Sequence, residues 1–332
     1  MNNAYIHPAP TYQITLDGED ITPAFKPYLV QLSLTEKRSD EADQLDLTFT
    51  DAKGTLNIPR KGVTLSLALG YKHEQLVSKG TFIVDEVEYS GPPDQLTMRA
   101  RSAKFTGALR RSREQSWHNM TIRQIVETIA SRNALQNSID AGLANKLVDH
   151  IDQTGESDIA FLARLGRMYD AVATVKNETL LFLSTSNTKT SKGASLPQIS
   201  LARRDTQSFT YTAADRDSYT GVRAFYSDKN AADKKSVLIG TDENVKELPD
   251  LHESQKAAKE AAESEYKNIE RSTATMSITL STGRPELMPQ TPISVSGFKQ
   301  QINETKWLTV SVSHTFSNSS GLITSLELEK AN

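Results

Sequence analysis

The chain contains no cysteine among its 332 residues. This absence excludes disulfide bonds, zinc or iron–sulfur sites built from thiolates, and cysteine nucleophiles. The folded state must therefore be held by packing, hydrogen bonding or oligomerisation. A chain without cysteine can also be assembled in a reducing cytoplasm and then function outside the cell.

Neither sign of charge dominates, and long apolar runs are missing. Lys and Arg total 38 against 41 Asp and Glu, a net charge of −3, which gives no overall reason to bind nucleic acid or anionic lipid. No run reaches about 18 apolar residues, and residues 1–10 lack the features of a signal peptide. With 37% hydrophobic residues, the sequence predicts a folded globular protein of about two domains, without membrane insertion.

The usual signatures of catalysis and metal binding are missing too. The sequence has no G-x-S-x-G, P-loop or G-x-G-x-x-G motif, and its six histidines include no pair at i, i+4 spacing. His150 lies between Asp149 and Asp152, but such neighbours on a polar loop are common by chance. His314 follows the alternation of a strand and is expected to face a core or a lumen. We assign no catalytic, cofactor-binding or metal-binding residue, and expect neither an enzyme nor a cofactor.

Both ends of the chain show the period-two alternation of β-strands. Gln44–Thr50 places Leu45, Leu47 and Phe49 on one face, and residues 63–69 alternate in the same way. Residues 82–100 read as a hairpin. Further strands are predicted at 208–212, 221–226, 276–280, 293–295, 308–316 and 322–328.

The middle of the chain, from about residue 106, has helical periodicity. Thr121 and Gln124 have the spacing of a capping box before the apolar stripe of a first helix. A second helix opens at 156–158 and directs Leu162 and Leu165 inward, and residues 171–184 read as two short strands. The Ser-, Thr-, Asn- and Lys-rich stretch 184–195 is typical of a linker. A long polar helix is predicted over 249–269, with Leu251 among the residues of its thin apolar face.

Two segments of the chain repeat one pattern. Pro59 and Pro289 each precede alternating apolar residues and a Gly-aromatic pair, and a long hairpin follows each segment. The pattern favours a duplicated β-barrel, although antiparallel sheets share much of it. The predicted fold is mainly β with an α+β insertion: a first barrel at 1–105, a small α+β domain at 106–192, and a second barrel at 193–332 that the polar helix interrupts.

A basic stretch marks the predicted junction between the first barrel and the α+β domain. Its cations could contact an anion or nucleic acid, but the stretch lacks the interleaved aromatic residues that stack on bases. We favour a solvated face or a face that pairs at an interface. The residues are Arg99, Arg101, Lys104, Arg110, Arg111 and Arg113.

Several short motifs occur in a fixed order between about residues 10 and 330. Ser116-Trp117 precedes the first helix, the run Gln-Thr-Gly-Glu-Ser-Asp at 153–158 leads into the second, and Gly-Arg-Pro-Glu-Leu occupies 283–287. In this order they resemble the phage late control protein D family, which comprises baseplate hub proteins of contractile tails and of tail-like bacteriocins. The motif residues expected to matter structurally are Trp117, Glu156, Ser157, Asp158, Phe161, Leu162, Leu165, Gly283, Pro285, Leu287, Pro289, Gly297, Trp307, His314 and Thr324.

The resemblance implies a structural role in a tail baseplate. It implies a homotrimer with two tube-like barrels per subunit, a pseudo-sixfold ring that joins a sixfold tail tube to a threefold spike. Implied partners are a trimeric spike, tail tube or tube-initiator proteins, tape-measure protein and baseplate wedge, with assembly in the bacterial cytoplasm and no specific nucleic-acid binding. Because the chain ends at Asn332 without β-helix repeats, the piercing element is expected on another chain.

One departure and two alternatives accompany the resemblance. Relatives commonly have Gly near the end of the second helix, where this chain has Asp170-Ala171, so the sequence does not define the helix end. A tail-tip cell-wall hydrolase is one alternative, but it would need catalytic signatures that the sequence lacks. A carbohydrate-binding tail protein is another, and it would usually show aromatic platforms, whereas aromatic residues are 7% of the chain.

Overall fold

A large antiparallel sheet is built mainly from the two ends of the chain. The computed structural model describes residues 9–38, 42–102, 107–176, 179–185, 198–213, 219–228 and 233–331. The N-terminal elements are β1 (Pro10–Leu16), β2 (Glu19–Asp20), α1 (Thr22–Phe25), β3 (Leu29–Lys37), β4 (Gln44–Thr50), β5 (Thr64–Tyr71), β6 (Val77–Ser90) and β7 (Gln95–Ser102).

The middle elements alternate strands and helices. They are α2 (Gly107–Arg110), β8 (Ser112–Thr121), α3 (Ile122–Arg132), β9 (Gln136–Ile139), α4 (Ala141–Ala144), β10 (Leu147–Ser157), α5 (Asp158–Met168), β11 (Ala171–Lys176) and β12 (Thr179–Ser184). Strand β8 occupies much of the start of this α+β unit, so the prediction of helical structure from about residue 106 was wrong there. The two short strands predicted at 171–184 are confirmed.

The C-terminal elements return to the large sheet. They are β13 (Ile199–Ala202), β14 (Thr206–Ala213), β15 (Gly221–Asp228), β16 (Asp233–Gly240), β17 (Val245–His252), α6 (Gln255–Ser272), β18 (Ala274–Leu280), β19 (Pro292–Ser296), α7 (Gln300–Glu304), β20 (Trp307–Ser317) and β21 (Gly321–Lys330). None of the helices in the described ranges has the length and apolar character needed to cross a bilayer.

The order of strands in the large sheet is duplicated. The N-terminal half-unit runs β3-β4-β7-β6-β5, with β1 beside β5, and the C-terminal half-unit runs β14-β18-β21-β20-β19, with β13 beside β19. Five strands of each half therefore match in chain order, whereas the outer strands differ: β1 is antiparallel to β5, and β13 is parallel to β19. They meet where β3 pairs with β20, so one continuous sheet joins them. The mainly β fold with an α+β insertion is confirmed.

The duplication extends to local irregularities. The β6–β7 register shifts between Val84 and Glu86, and the β20–β21 register shifts between Thr309 and Ser311. Just before β5 and β19, Gly62 and Gln290 both have positive φ, and their amides donate to the carbonyls of Val84 and Thr309, respectively. Gly62 thus corresponds to Gln290, so the sequence alignment of Pro59 with Pro289 was displaced.

Each half-unit has its own hydrophobic core. Leucines of β3, β4 and β5 form the N-terminal core, and Phe316 of β20 joins them because β20 lies beside β3. The C-terminal core gathers Met276, Ile278, Trp307 and Leu326 from three strands around one centre. The α+β unit has a third core, in which α3 and α5 pack their apolar stripes.

The polar helix begins later than the sequence indicates. Residues 249–252 belong to β17, which pairs in parallel with β15, and α6 starts at Gln255 after the N-cap Ser254. Leu251 lies on this strand with 57% exposure, so its assignment to the apolar face of the helix was wrong. Ala258 and Ala262 do face a small core under the β15–β17 sheet.

The predicted domain boundaries stay predictions. Both junctions, 105/106 and 192/193, fall outside the described residues, as does nearly all of the predicted linker at 184–195. Within the described residues, strands from 1–105 and from 193–332 share one hydrogen-bonded sheet, and the α+β unit has sheets of its own.

Candidate functional site

The joint between the half-units contains a buried polar cluster, which we call the junction cluster: Glu36, Lys79, Leu287, His314 and Thr324. Lys79 Nζ lies 2.7 Å from Glu36 Oε2 and donates to the carbonyl of Leu287 at 3.0 Å. The side chains of Lys79 and Glu36 are only 3% and 9% exposed. An ion pair so well buried is costly to break from one side, because the remaining charge would lose its counter-ion.

His314 completes the junction cluster from β20. It is fully buried, its Nδ1 lies 2.9 Å from Thr324 Oγ1, and its Nε2 lies 3.5 Å from Glu36 Oε2. Burial lowers the pKa of His314 from its ordinary value of 6.5, and the nearby Lys79 charge acts in the same direction. The lowered pKa favours the neutral imidazole, and of the two positions expected for His314, in a core or at a lumen, the structure shows a core position.

The segment 283–287 is held against the joint by its backbone. Gly283 donates its amide to Leu322 O and accepts a 2.6 Å bond from the Tyr71 hydroxyl of the N-terminal half-unit. A side chain at Gly283 would place its Cβ 2.4 Å from Leu322 Cγ, so only glycine fits. Thr324 Oγ1 accepts from the amide of Arg284, next to Gly283, and also lies beside His314. Four motif residues therefore lie close together at the joint: Gly283, Leu287, His314 and Thr324.

The other C-terminal motif residues lie around this site. Trp307 is buried in the C-terminal core and donates Nε1 to Ile302 O at 3.1 Å. Pro285 is buried, and Pro289 is partly buried in the same connection. Gly297 is exposed and adopts a φ of +79°, a conformation that favours glycine.

The remaining motif residues meet in the α+β unit, far from the junction cluster in sequence. Asp158 is fully buried and accepts from Arg132 Nε and from Gln153 Nε2, at 2.8 and 2.9 Å. The Trp117 ring stacks on Phe161 at 5.7 Å. These contacts fix the start of α5 against β8 and β10, with Ser157 as N-cap, Glu156 paired to Arg164, and Leu162 and Leu165 fully buried.

The structure shows that the second helix ends just before Asp170. The helix ends at Met168 with Tyr169 as C-cap, and Asp170 has a φ of +52°. Aspartate tolerates this left-handed conformation better than most residues, so it can occupy a position where glycine is common. Its carboxylate also lies 2.7 Å from Arg271 Nη2 of α6, which ties the α+β unit to the long helix.

Two histidines form a pair that sequence spacing did not reveal. His118 of β8 and His150 of β10 stack at 4.5 Å, with their Nδ1 atoms 2.8 Å apart, and His150 Nε2 lies 3.2 Å from Asp152. His150 is therefore on a strand, not on a polar loop. Within the described ranges, no three His, Asp or Glu side chains are placed together to hold a metal ion.

Three arginines of the basic stretch lie beside acidic side chains of the chain. Arg99 pairs with Glu86 and Glu88 on the outer face of the N-terminal sheet, and Arg113 lies 3.4 Å from the buried Asp158. Arg101 lies 3.2 Å from Asp85, and Lys104 falls outside the described residues. These three arginines pair with acidic side chains of their own chain, and the solvated or interface-pairing face stays a prediction.

Comparison with known proteins identifies the family. The model of the family described as phage tail baseplate hub (GPD) matches residues 26–320. The chain belongs to this family. The probable baseplate hub protein of Escherichia phage 186 is 39% identical over 97% of this chain and 93% of its own length. That of Escherichia phage P2 is 37% identical over 96% and 93%. The resemblance that the motifs suggested is confirmed, and the chain is a component of a tail baseplate.

Solved structures share the fold of this baseplate hub chain. The 43 kDa tail protein of prophage MuSo2 from Shewanella oneidensis has a TM-score of 0.73 at 14% identity, over 97% of this chain and 99% of its own. A chain of the Francisella PdpA-VgrG complex has a TM-score of 0.62 at 8% identity, over 99% of this chain and 54% of its own. At these identities the likeness concerns the fold alone.

Proposed function

We propose that three copies of this chain form the ring that adapts a sixfold tail tube to a threefold spike, as a structural and non-enzymatic hub. The observation that carries the proposal is the duplicated strand order of the large sheet. Three chains with two like half-units each offer six similar surfaces to a sixfold partner. The same ring keeps threefold symmetry for a trimeric partner, because the half-units are alike but not identical.

The proposed partners follow from this geometry and from the relatives. The spike is the threefold partner, in line with the fold shared with a chain of the PdpA-VgrG complex. Tail tube or tube-initiator proteins take the sixfold face, and we propose the tape-measure protein and the baseplate wedge as further partners. Nucleic acid or the tape-measure protein would pass through the channel of this ring. We therefore expect its wall to lack a dense array of lysine and arginine side chains, which would bind DNA tightly at moderate salt.

The non-enzymatic part of the proposal rests on how the polar residues are used. The buried charges of the junction cluster and of Asp158 face partners within the fold. Rapid clearing of purified peptidoglycan by the pure chain, lost on one carboxylate or histidine substitution, would contradict this part and favour a cell-wall hydrolase. Assembly in the bacterial cytoplasm fits a chain that needs no disulfides.

The decisive experiment is stoichiometry. The full chain is mixed with the spike protein of the same particle, and the complex is measured by native mass spectrometry and by electron microscopy with symmetry analysis. We expect three hub chains for three spike chains around an open centre. The isolated hub can stay monomeric until the spike organises it, so the mixture is the test. A stable complex with any other ratio would contradict the proposal.

A further inference from the structure

Strand β14 is an edge of the large sheet. In the portion of the chain that the structure describes, β14 pairs with β18 on one side and with no strand on the other. Six of its eight residues are exposed, among them Phe209 at 36%. A free strand edge of this kind is a ready template for pairing with another chain.

The second half of β6 has a free side of its own. Strand β5 and its preceding loop cover β6 only as far as Val84, while β7 pairs with β6 on the other side through Ser90. Among the described strands, none pairs with the free side of residues 85–90. Tyr89 is 46% exposed on this segment, and Val87 is only partly buried.

These two free edges are the equivalents of strands that already pair inside the chain. The duplication relates β6 to β20 and β14 to β3. The segment just before β19 forms backbone hydrogen bonds with β20 as far as Thr309. Beyond this point, residues 311–317 of β20 pair antiparallel with β3. The internal joint between the half-units therefore shows how the two free edges would fit together.

We propose that β14 of one copy adds to residues 87–90 of β6 in a second copy, as an antiparallel pair that repeats the internal β3–β20 joint. The closure of such pairs into a ring of three rests on the function proposed above. Shared register shifts align β6 with β20 and β14 with β3, so the internal pair Ser313–Thr35 translates into a pair between Glu88 and Thr212.

The side chains at the two edges suit this pairing. At the internal joint, His314 and Leu34 are fully buried, and their equivalents at the edges are Tyr89 and Tyr211. Phe209 is the equivalent of the fully buried Leu32. The edges thus carry apolar rings on the face that the pair would cover. On the opposite face Glu88 would lie beside a neutral Thr212, so no like charges meet.

The absence of cysteine makes a cross-linking test direct. One preparation carries Glu88→Cys and another carries Thr212→Cys, both at exposed positions. They are mixed with the spike protein of the same particle and oxidised. We expect a disulfide-linked dimer in the mixture and none with either variant alone. The double variant Glu88→Cys/Thr212→Cys should give a covalent trimer that reducing agent dissolves.

Two matched variants check geometry and register. Ser313→Cys/Thr35→Cys places cysteines at the equivalent internal pair. On oxidation they should form a disulfide within one chain, measured as the loss of two free thiols without a change in chain mass on gels. Glu88→Cys/Thr210→Cys keeps the same faces but moves one partner along the strand by two residues, about 7 Å. This separates the Cα atoms beyond the roughly 7 Å that a disulfide allows, so cross-linking should fall at least tenfold.

The outcomes separate this inference from the proposed function. A complex with three hubs in which the internal pair cross-links but Glu88→Cys/Thr212→Cys does not would overturn the edge pairing and leave the hub function standing. Equal cross-linking by the Thr210→Cys control would overturn the register. Ladders longer than three chains would support the edge pairing while contradicting the threefold ring. If the Thr212→Cys variant became linked to a different protein of the particle in place of the Glu88→Cys variant, the inference would also be overturned.

Discussion

The junction cluster predicts a large effect of Lys79→Met. Methionine keeps most of the length of lysine but removes the charge, so Glu36 would stay buried at 9% exposure after losing this cation. Two unit charges 2.7 Å apart attract by about 6 kcal/mol at an effective dielectric constant of about 20. Desolvation of both ions offsets most of this attraction in the folded protein.

What remains after removal of one partner is the cost of an uncompensated buried charge. We expect the free energy of unfolding to fall by about 3–5 kcal/mol near neutral pH. This is a large part of the roughly 5–15 kcal/mol that stabilises a typical protein. The double variant Glu36→Gln/Lys79→Met removes both charges and should recover most of the loss, because neither ion of the pair is then left buried.

His314 makes the loss depend on pH. In the native protein the pKa of His314 is lowered, so below about pH 6.5 the unfolded chain takes up a proton that the folded chain does not. The free energy of unfolding therefore decreases as the pH decreases. In Lys79→Met the cation that opposes protonation of His314 is gone, while Glu36, 3.5 Å from the imidazole in the native chain, still favours it, so we expect the pKa of His314 to rise. The destabilisation caused by Lys79→Met should therefore shrink as the pH falls below about 6.5.

Urea unfolding of the full chain at two pH values measures both effects. Lys72→Met is the matched control, because Lys72 is exposed and a surface substitution usually changes stability by less than about 0.5 kcal/mol. If Lys79→Met costs no more than Lys72→Met, the electrostatic account of the junction cluster is refuted. If the double variant is no more stable than Lys79→Met, the loss comes from packing and not from the charge.

Two further predictions concern buried side chains. Leu162→Ala should lower the free energy of unfolding by about 2–5 kcal/mol, since Leu162 of α5 is fully buried in the core of the α+β unit. An unchanged urea midpoint would contradict this. His314→Gln should flatten the rise of stability with pH as the pH increases toward about 6.5, because that rise comes from the lowered pKa of His314. Unfolding curves with the same pH slope as the native chain would count against it.

Local signals in the sequence were sufficient for most individual elements. The alternation of Leu45, Leu47 and Phe49 predicted β4, and all three are fully buried. Thr121 with Gln124 predicted the start of α3, where the structure shows both bonds of the capping box. These signals lie within one element, so a single stretch of sequence contains all of their determinants.

Features that depend on distant pairing could not be found in this way. Leu251 has a spacing that fits the stripe of α6, yet parallel pairing of β17 with β15 places it on a strand. The junction cluster brings together Glu36, Lys79 and His314 from three strands, and no local pattern links them. The His118–His150 stack arises because β8 and β10 pair in that register. Motif residues were recognised one by one, but their meeting points needed the fold.

The two half-units differ most in one connection, and this difference bears on how the chain folds. Strand β3 ends at Lys37 and β4 begins at Gln44, whereas β14 ends at Ala213 and its partner β18 begins only at Ala274. The second connection is about ten times longer, which adds about 2 kcal/mol to the entropic cost of closing it in a flexible chain. The hairpin of β3 and β4 can therefore form from neighbouring residues early in synthesis. We expect the pairing of β14 with β18 to follow the formation of the β15–β17 sheet and α6, which shortens the distance between the two strands.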